Sequence, residues 1–277
     1  MAGPLASAGF LALWHPELLA AAVLLGVAYL RLVTAPPARL AGARPVPPGR
    51  RVEFLLGLAA LYVAQGSPVA LLASRYLFSA HMLQAVLLVL VAPPLLLEGV
   101  PVWLLRPLFA VGWVREAVRW ITQPAAALLI FIMSFSIFLL PGLNDAALAD
   151  PWLYTAEHAL ILVAAFCMWF PVLSPVPEIP ALQAGPRMLF TFAVEILMTV
   201  PFALITFAGA PLYPTYAAAP RVFGLSALTD QQLGGIIMRL GSAASFGLLL
   251  IRTFFAWAAR EPALDRALGR PAPRGQV

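Results

Sequence analysis

The sequence predicts an all-α integral membrane protein, a bundle of about seven transmembrane helices. Of its 277 residues, 62% are hydrophobic and 10% are charged, against roughly 45–50% and about 25% in soluble globular proteins. The mean hydropathy is +0.92, and several apolar runs are long enough to cross a bilayer. This composition excludes a soluble enzyme and a disordered chain. A disulfide scaffold is excluded as well, because the one cysteine, Cys167, cannot form an internal bridge.

Each predicted span meets the length that the hydrocarbon core requires, about 20 residues at 1.5 Å per residue. A further stretch, 101–120, mixes arginines with tryptophans, which is typical of an amphipathic helix at the membrane interface. We place this interfacial helix between the third and fourth spans. The seven predicted spans are residues 16–34, 52–73, 77–97, 122–140, 151–173, 187–208 and 231–257.

The distribution of arginine predicts that the N-terminus lies outside and the C-terminus inside. All 17 basic residues are arginines, and this orientation leaves 14 of them on the inner side and 3 on or near the outer side. Because they lie between apolar segments rather than on one basic face, nucleic-acid binding is not predicted. We expect residues 1–260 to form a single polytopic membrane domain. Residues 261–277, with Pro271 and Pro273, are expected to form a disordered cytoplasmic tail.

Imidazole and thioether side chains recur at one depth of the predicted bundle. His81 and Met82 lie about four residues into the third span, and His158 and Met238 about seven into the fifth and seventh. These three spans run in the same direction, so the side chains can meet near the outer surface. Imidazole binds copper, and thioether sulfur selects soft ions such as Cu(I). We interpret the four residues as a candidate Cu(I) site; interfacial hydrogen bonding and core packing are the alternative roles.

Four other polar residues are accessory candidates. His15 lies at the outer end, just before the first span. Glu157 and Asp230 could offset the positive ends of helix dipoles, which disfavour a cation, or could serve as a helix-terminal carboxylate and a cap. Glu195 lies near the middle of the sixth span, where it either pairs with Arg239 or takes part in a proton or metal relay.

Motifs of known catalytic chemistry are missing from the sequence. There is no His-Glu-x-x-His zinc motif, phosphate loop, Gly-x-Ser-x-Gly elbow or Cys-x-x-Cys pair. We therefore predict that the protein is not an enzyme. Gly234, Gly235 and Gly241 give the last helix a small-residue face suited to close packing against another helix or protein.

Several short strings occur in a recognisable order along the chain. They are Ser-Ala-His-Met-Leu-Gln at 79–84, Ala-Pro-Pro-Leu-Leu at 92–96, Gly-Val-Pro at 99–101, Leu-Tyr-Pro at 212–214, Gly-Leu-Ser at 224–226, and Asp-Gln-Gln-Leu-Gly-Gly-Ile-Ile-Met at 230–238. Together they resemble the CtaG family of cytochrome c oxidase assembly factors, over most of the chain from Trp14 to Phe255. The seven spans and the amphipathic stretch agree with this resemblance.

The resemblance implies a copper-linked assembly role in the bacterial inner membrane. Such a protein would hold Cu(I) near the periplasmic face and pass it to the copper centre of a haem-copper oxidase. The implied partners are membrane lipid, the oxidase subunits and a periplasmic copper donor, and homo-oligomerisation stays open. The chain departs from the family pattern at two positions, with Ala85 where a second histidine often follows Gln84 and Arg239 where tryptophan often follows Met238. These departures leave fewer candidate ligands.

We therefore predict a membrane metallochaperone for oxidase assembly, with two alternatives. A transporter or tolerance protein for copper or another solute would need a continuous polar path across the bilayer. A metal-free scaffold for oxidase assembly would leave His81 and His158 apart, or satisfied by neighbouring backbone carbonyls. Convergence of the two imidazoles is the observation that would favour a metal carrier.

Overall fold

The computed structural model describes residues 13–37 and 42–267, of which 260–267 are described by backbone alone. Within these residues the chain forms helices and no strand, as the sequence predicts. Five helices are long and apolar enough to cross a membrane, and two bent helix pairs raise the number to as many as seven. The helices are α1 (Pro16–Thr34), α2 (Pro48–Gly66), α3 (Pro68–Arg75), α4 (Phe78–Ala85), α5 (Ala92–Gly99), α6 (Val102–Phe109), α7 (Gly112–Ile121), α8 (Pro124–Phe138), α9 (Pro141–Ala149), α10 (Pro151–Leu173), α11 (Ala184–Thr206), α12 (Pro214–Ala218) and α13 (Ala227–Ala267).

The second predicted span is two helices rather than one, because α2 and α3 meet at a bend of 44°. Pro68 has no N–H to donate, and its ring disfavours helical geometry at the residue before it. That residue, Ser67, is accordingly extended, with φ −110° and ψ 173°. Its hydroxyl accepts a hydrogen bond from the Val69 amide at 3.2 Å, so the same residue that ends α2 caps α3.

The fourth predicted span, 122–140, forms one short helix, α8, with a bend at its start. α8 has 15 residues, fewer than the 17 or so that a span requires, and it meets α7 at an angle of 70°. The predicted interfacial stretch, 101–120, forms α6 and α7. Trp113 and Trp120 on α7 are 77% and 63% exposed; their position at the membrane surface stays a prediction.

The third span lies at the centre of the bundle and is continuous from Phe78 to Gly99, with a π-helical segment, Val86–Val91, between α4 and α5. Two consecutive prolines at the start of α5 cannot donate to the carbonyls of the preceding turn. The Val89 carbonyl instead accepts a hydrogen bond from Trp169 Nε1 at 2.7 Å, and the Leu90 carbonyl one from the Ser245 hydroxyl at 3.4 Å. Side chains of the fifth and seventh spans thus satisfy backbone groups that lipid would leave unpaired.

The other helices surround this central span. α13 and α3 pack against α4, whereas α2 and α10 pack against α5. α1 covers α2, α8 lies along α10, and α11 lies along α13. The third, fifth and seventh spans begin at the same end of the bundle, since the backbone of Phe78 contacts Asp230 and His81 contacts His158. We call this end the upper end and the opposite end the lower end.

The last helix is longer than predicted. α13 has 41 residues, about 60 Å at 1.5 Å per residue, roughly twice the thickness of the hydrocarbon core. The backbone of 261–267, assigned by sequence to the tail, is helical and continues α13. Residues 268–277 of the predicted tail lie outside the described residues.

The small-residue face of α13 packs against helices of the same chain. A Cβ atom added at Gly234 would lie 2.5 Å from the Phe78 ring, and one at Gly241 would lie 2.8 Å from Val86. On the other side of the helix, a Cβ at Gly235 would lie 2.2 Å from the Thr206 hydroxyl. The glycines thus let α13 approach both α4 and α11 closely.

We expect Gly234→Ala to lower the free energy of unfolding by about 1–3 kcal/mol, since overpacking a core outweighs the gain in helix propensity. Gly247→Ala on the same helix is the matched control, because a Cβ there meets nothing within 4 Å. Unfolding of the purified protein by SDS in mixed micelles measures both variants. Equal stability of the two variants would contradict the close contact between α4 and α13.

Candidate functional site

Two histidines meet at the upper end of the bundle. His81 lies in the first turn of α4 and His158 in the second turn of α10. Their ring centroids are 6.1 Å apart and the rings are nearly perpendicular, at 82°. Both side chains are buried, with 1% and 4% of their surface exposed. The structure therefore brings together the two imidazoles that lie 77 positions apart in the sequence.

A backbone hydrogen bond fixes the His158 ring. Its Nδ1 lies 2.8 Å from the carbonyl oxygen of Tyr154, one helical turn earlier. A carbonyl can only accept, so Nδ1 carries the proton of the neutral ring and Nε2 carries the lone pair. This is the arrangement by which proteins hold a metal-ligating imidazole in a single tautomer.

The His81 ring is held by a side-chain amide and an aromatic ring. Its Nε2 lies 3.2 Å from Asn144 Nδ2 on α9, and the ring stacks on Phe138 at 5.0 Å between centroids. The other ring nitrogen, Nδ1, is buried without a hydrogen-bond partner among the described residues, as is Asn144 Oδ1. Unpaired buried polar atoms are uncommon in native proteins and call for a specific explanation.

A chain of polar side chains continues from this site toward α2. The Tyr154 hydroxyl donates to Gln84 Oε1 at 2.8 Å. Gln84 Nε2 in turn donates to the Ala64 carbonyl at 2.9 Å and to Gln65 Oε1 at 3.2 Å. Asn144, Tyr154 and Gln84 are site residues that were not predicted. Asn144 and Tyr154 are polar side chains in apolar stretches, and Gln84 ends the string at 79–84.

The two candidate methionines lie on another side of α4. Met82 follows His81 directly and therefore points about 100° away around the helix. Its Cγ atom would lie 3.1 Å from a Cβ at Gly234, so Met82 faces α13, one turn before Met238. Both methionines are fully buried in the apolar core. Within the described part of the chain, no group of three or more His, Cys, Asp or Glu side chains could hold a metal ion.

Asp230 caps a helix, although not the one that the sequence suggests. In α13 the Ser226 hydroxyl accepts from the Thr229 amide at 3.1 Å and forms the N-terminal cap. Asp230 instead reaches α4, where its two oxygens accept from the amides of Phe78 and Ser79 at 2.7 and 3.1 Å and from the Ser79 hydroxyl. A buried carboxylate therefore lies at the positive end of the helix that carries His81.

The other accessory candidates lie in three separate environments. His15 is half-exposed at the start of α1, with Nδ1 2.8 Å from Glu17 Oε1. Glu157, beside His158 in α10, has one oxygen buried without a hydrogen-bond partner in the described part of the chain. Of the two roles considered for Glu195, the structure shows the ion pair with Arg239.

Comparison with known protein families tests the family resemblance that the sequence strings suggest. A family model described as cytochrome c oxidase caa3 assembly factor, Caa3_CtaG, matches residues 27–260. The chain belongs to this family. Neither a curated protein nor a solved structure matches the chain. The match includes every candidate site residue except His15, which lies before it.

In this CtaG protein the connection between the last two spans reaches His81. Tyr213 and Tyr216 of this connection are buried, and their hydroxyls donate to the carbonyls of Leu139 at 2.9 Å and Ala73 at 2.6 Å. Burial raises the pKa of both phenols, and nearby carboxylates raise it further. Both therefore stay protonated and donate these hydrogen bonds at neutral pH. The Tyr216 ring centroid lies 6.1 Å from that of His81.

Proposed function

We propose that this CtaG protein is a copper metallochaperone of the bacterial inner membrane, which holds Cu(I) at His81 and His158 and passes it to the copper centre of a haem-copper oxidase. The observation that carries this proposal is the meeting of the two imidazoles, one of which has a buried nitrogen without a partner. Neutral imidazole is a good ligand for copper, and its affinity does not require a charged site.

The proposal assigns a role to Asn144. A side-chain amide can present either its nitrogen or its oxygen to the His81 ring. When it presents the oxygen, Nε2 of His81 is the donor, and the lone pair resides on Nδ1, which has no hydrogen-bond partner among the described residues. His158 offers Nε2 in the same way, because Tyr154 binds its Nδ1. The two free nitrogens form the proposed ligand pair.

Two neutral ligands favour release as well as binding. Copper bound by few donors can leave by ligand exchange, whereas a closed cage of four would retain it. The carboxylate of Asp230 at the start of α4 offsets the positive helix end that would otherwise repel a cation. Met82 and Met238 face the seam between α4 and α13, so we propose them as secondary soft donors rather than as part of the resting pair.

The direction of the site follows from the arginine distribution. With 14 arginines on the inner side, the upper end faces the periplasm, where a copper donor could reach it. The receiving oxidase subunit would dock laterally, within the membrane. The protein then acts by binding and transfer and not as an enzyme.

A metal-free scaffold for oxidase assembly is the second candidate function. The observation in its favour is that each histidine already has a hydrogen-bond partner, the Tyr154 carbonyl for His158 and the Asn144 amide for His81. In that role the two rings would hold α4, α9 and α10 together at the upper end. The His81 Nδ1 atom, which has no hydrogen-bond partner among the described residues, favours the metal carrier. A purely structural role would not explain a buried ring nitrogen without a partner.

Copper quantification in the purified protein tests the proposal. Wild-type protein loaded with Cu(I) under reducing conditions is expected to retain copper, and His81→Ala and His158→Ala to lose most of it. Met82→Leu and Met238→Leu, which preserve side-chain volume, are expected to retain most. Elemental analysis after dialysis, with oxidase activity measured in cells that carry each variant, gives both readouts.

His15→Ala is the matched control, since it removes a histidine that is half-exposed and bound to Glu17. Its copper content and oxidase activity should equal those of the wild type. Full copper retention by both His81→Ala and His158→Ala would contradict the proposed site. Copper-free wild-type protein that still supports oxidase assembly would favour the scaffold.

A further inference from the structure

A charged cleft lies at the lower end of the bundle, opposite the histidines. It has a volume of about 370 Å³ and is lined by the ends of five chain segments. Ordinary ligand pockets span roughly 300–1,000 Å³, so the cleft has the size of a binding site. Its charged side chains are Arg50 and Glu53 of α2, Glu98 of α5, Arg187 of α11 and Arg252 of α13.

Three arginines against two glutamates leave the cleft with a positive charge in excess. One pair is internal to the protein, because Arg252 Nη2 lies 3.2 Å from Glu98 Oε1 and joins the seventh span to the third. The Arg252 side chain is nevertheless 59% exposed, and a guanidinium has five N–H donors. It can therefore bind a further anion without leaving Glu98.

Arg50 lines the cleft, whereas its neighbour Arg51 does not. Its neighbour Arg51 donates to the Val46 carbonyl at 2.6 Å and to the Thr34 hydroxyl at 3.5 Å, and so ties α2 to the end of α1. Arg50 shares neither of these partners and instead lines the cleft. Arg50 and Arg252 line the same cleft, and guanidinium groups that share a cleft can bind the oxygens of one phosphate group.

We propose that this cleft binds a phosphate group, supplied by the headgroup of an anionic phospholipid or by free phosphate. Arg50 and Arg252 bind the phosphate oxygens, and Arg187, whose guanidinium donates to the Leu182 carbonyl, adds positive charge to the lining. Basic pockets between transmembrane helices on the cytoplasmic side are typical sites for anionic headgroups. This inference does not depend on copper binding at the upper end.

The test uses the full-length protein purified in neutral detergent. Native mass spectrometry compares retention of phosphatidylglycerol with that of phosphatidylcholine, and calorimetry measures binding of inorganic phosphate at constant ionic strength. We expect Arg50→Gln and Arg252→Gln each to weaken binding about tenfold, the loss of one charge-assisted hydrogen bond. Arg115→Gln removes an exposed arginine of α7 at the same end and is expected to leave binding unchanged.

Each outcome identifies the source of the phosphate or overturns the proposal. Preferential retention of phosphatidylglycerol that Arg50→Gln abolishes supports a lipid headgroup. Phosphate binding without lipid preference, again lost in Arg50→Gln, supports free phosphate. Equal retention of both lipids together with no phosphate binding overturns the proposal. An Arg50→Gln protein that binds like the wild type also overturns the proposal. This variant is a fair test because it leaves the ion pair of Arg252 and Glu98 intact.

Discussion

Asp230→Ala is expected to lower the free energy of unfolding by about 3 kcal/mol or more, because three buried donors lose one acceptor and each costs about 1–3 kcal/mol when unpaired. These donors are the amides of Phe78 and Ser79 and the Ser79 hydroxyl at the start of α4. The Asp230 side chain is only 1% exposed, so the donors it leaves are buried. Unfolding by SDS in mixed micelles measures the loss, and Asp230→Asn, which retains one acceptor oxygen, should show an intermediate value.

Asp150→Ala is the control for an ordinary helix cap. The Asp150 carboxylate accepts from the amides of Trp152 at 2.8 Å and Leu153 at 3.5 Å, at the exposed start of its own helix, α10. Loss of such a cap costs about 1 kcal/mol. If Asp230→Ala proved no more destabilising than Asp150→Ala, the cap from α13 to α4 would contribute nothing beyond a local one.

These two aspartates show which contacts can be predicted from sequence and which cannot. Asp150 precedes Pro151 at a helix start, a local pattern that predicts a cap, and the structure has it. Asp230 also lies near a helix start, but its partners are 151 and 152 positions away. Apolar length predicts the spans because it is a local property. The choice of neighbouring helices depends on packing between residues that are far apart in the sequence. Local sequence patterns therefore do not predict it.

Helix breaks were partly predictable by the same reasoning. Pro68 and Pro124 both mark bends, and the conformation of a residue before proline is a local rule. The two prolines of α5, in contrast, lie inside a continuous span, because Trp169 and Ser245 bind the carbonyls that the prolines leave free. Whether a proline bends a span or lies within a continuous one therefore depends on its tertiary neighbours.

The candidate site shows a similar limit. His81 and His158 could be predicted to lie at one end of the bundle, because the depth of a residue follows from its position along a helix. Rotation about the helix axis decides what each side chain faces, and it separates Met82 from His81 although the two are adjacent. Asn144, which forms a hydrogen bond with His81, could not be predicted from the sequence. It lies 63 positions from His81 and belongs to no recognised motif.

Glu195→Gln is expected to destabilise the protein by about 3 kcal/mol, because it leaves Arg239 without its carboxylate in the middle of the bundle. The Glu195 side chain is 15% exposed and the Arg239 side chain 43%, and within a span the exposed part of such a pair meets lipid rather than water. Replacement of both residues, Glu195→Leu with Arg239→Leu, should restore much of the stability, since an apolar pair needs no compensation. SDS unfolding of the two single variants and the double variant gives the coupling energy.

A surface ion pair provides the matched control. Arg119 and Glu116 of α7 lie 3.7 Å apart with side chains 50% and 70% exposed, and such pairs contribute between 0 and about 1 kcal/mol. Glu116→Gln makes the same chemical change as Glu195→Gln and should cost little. Should the double variant be no more stable than Glu195→Gln, the charged pair itself would be needed in the span.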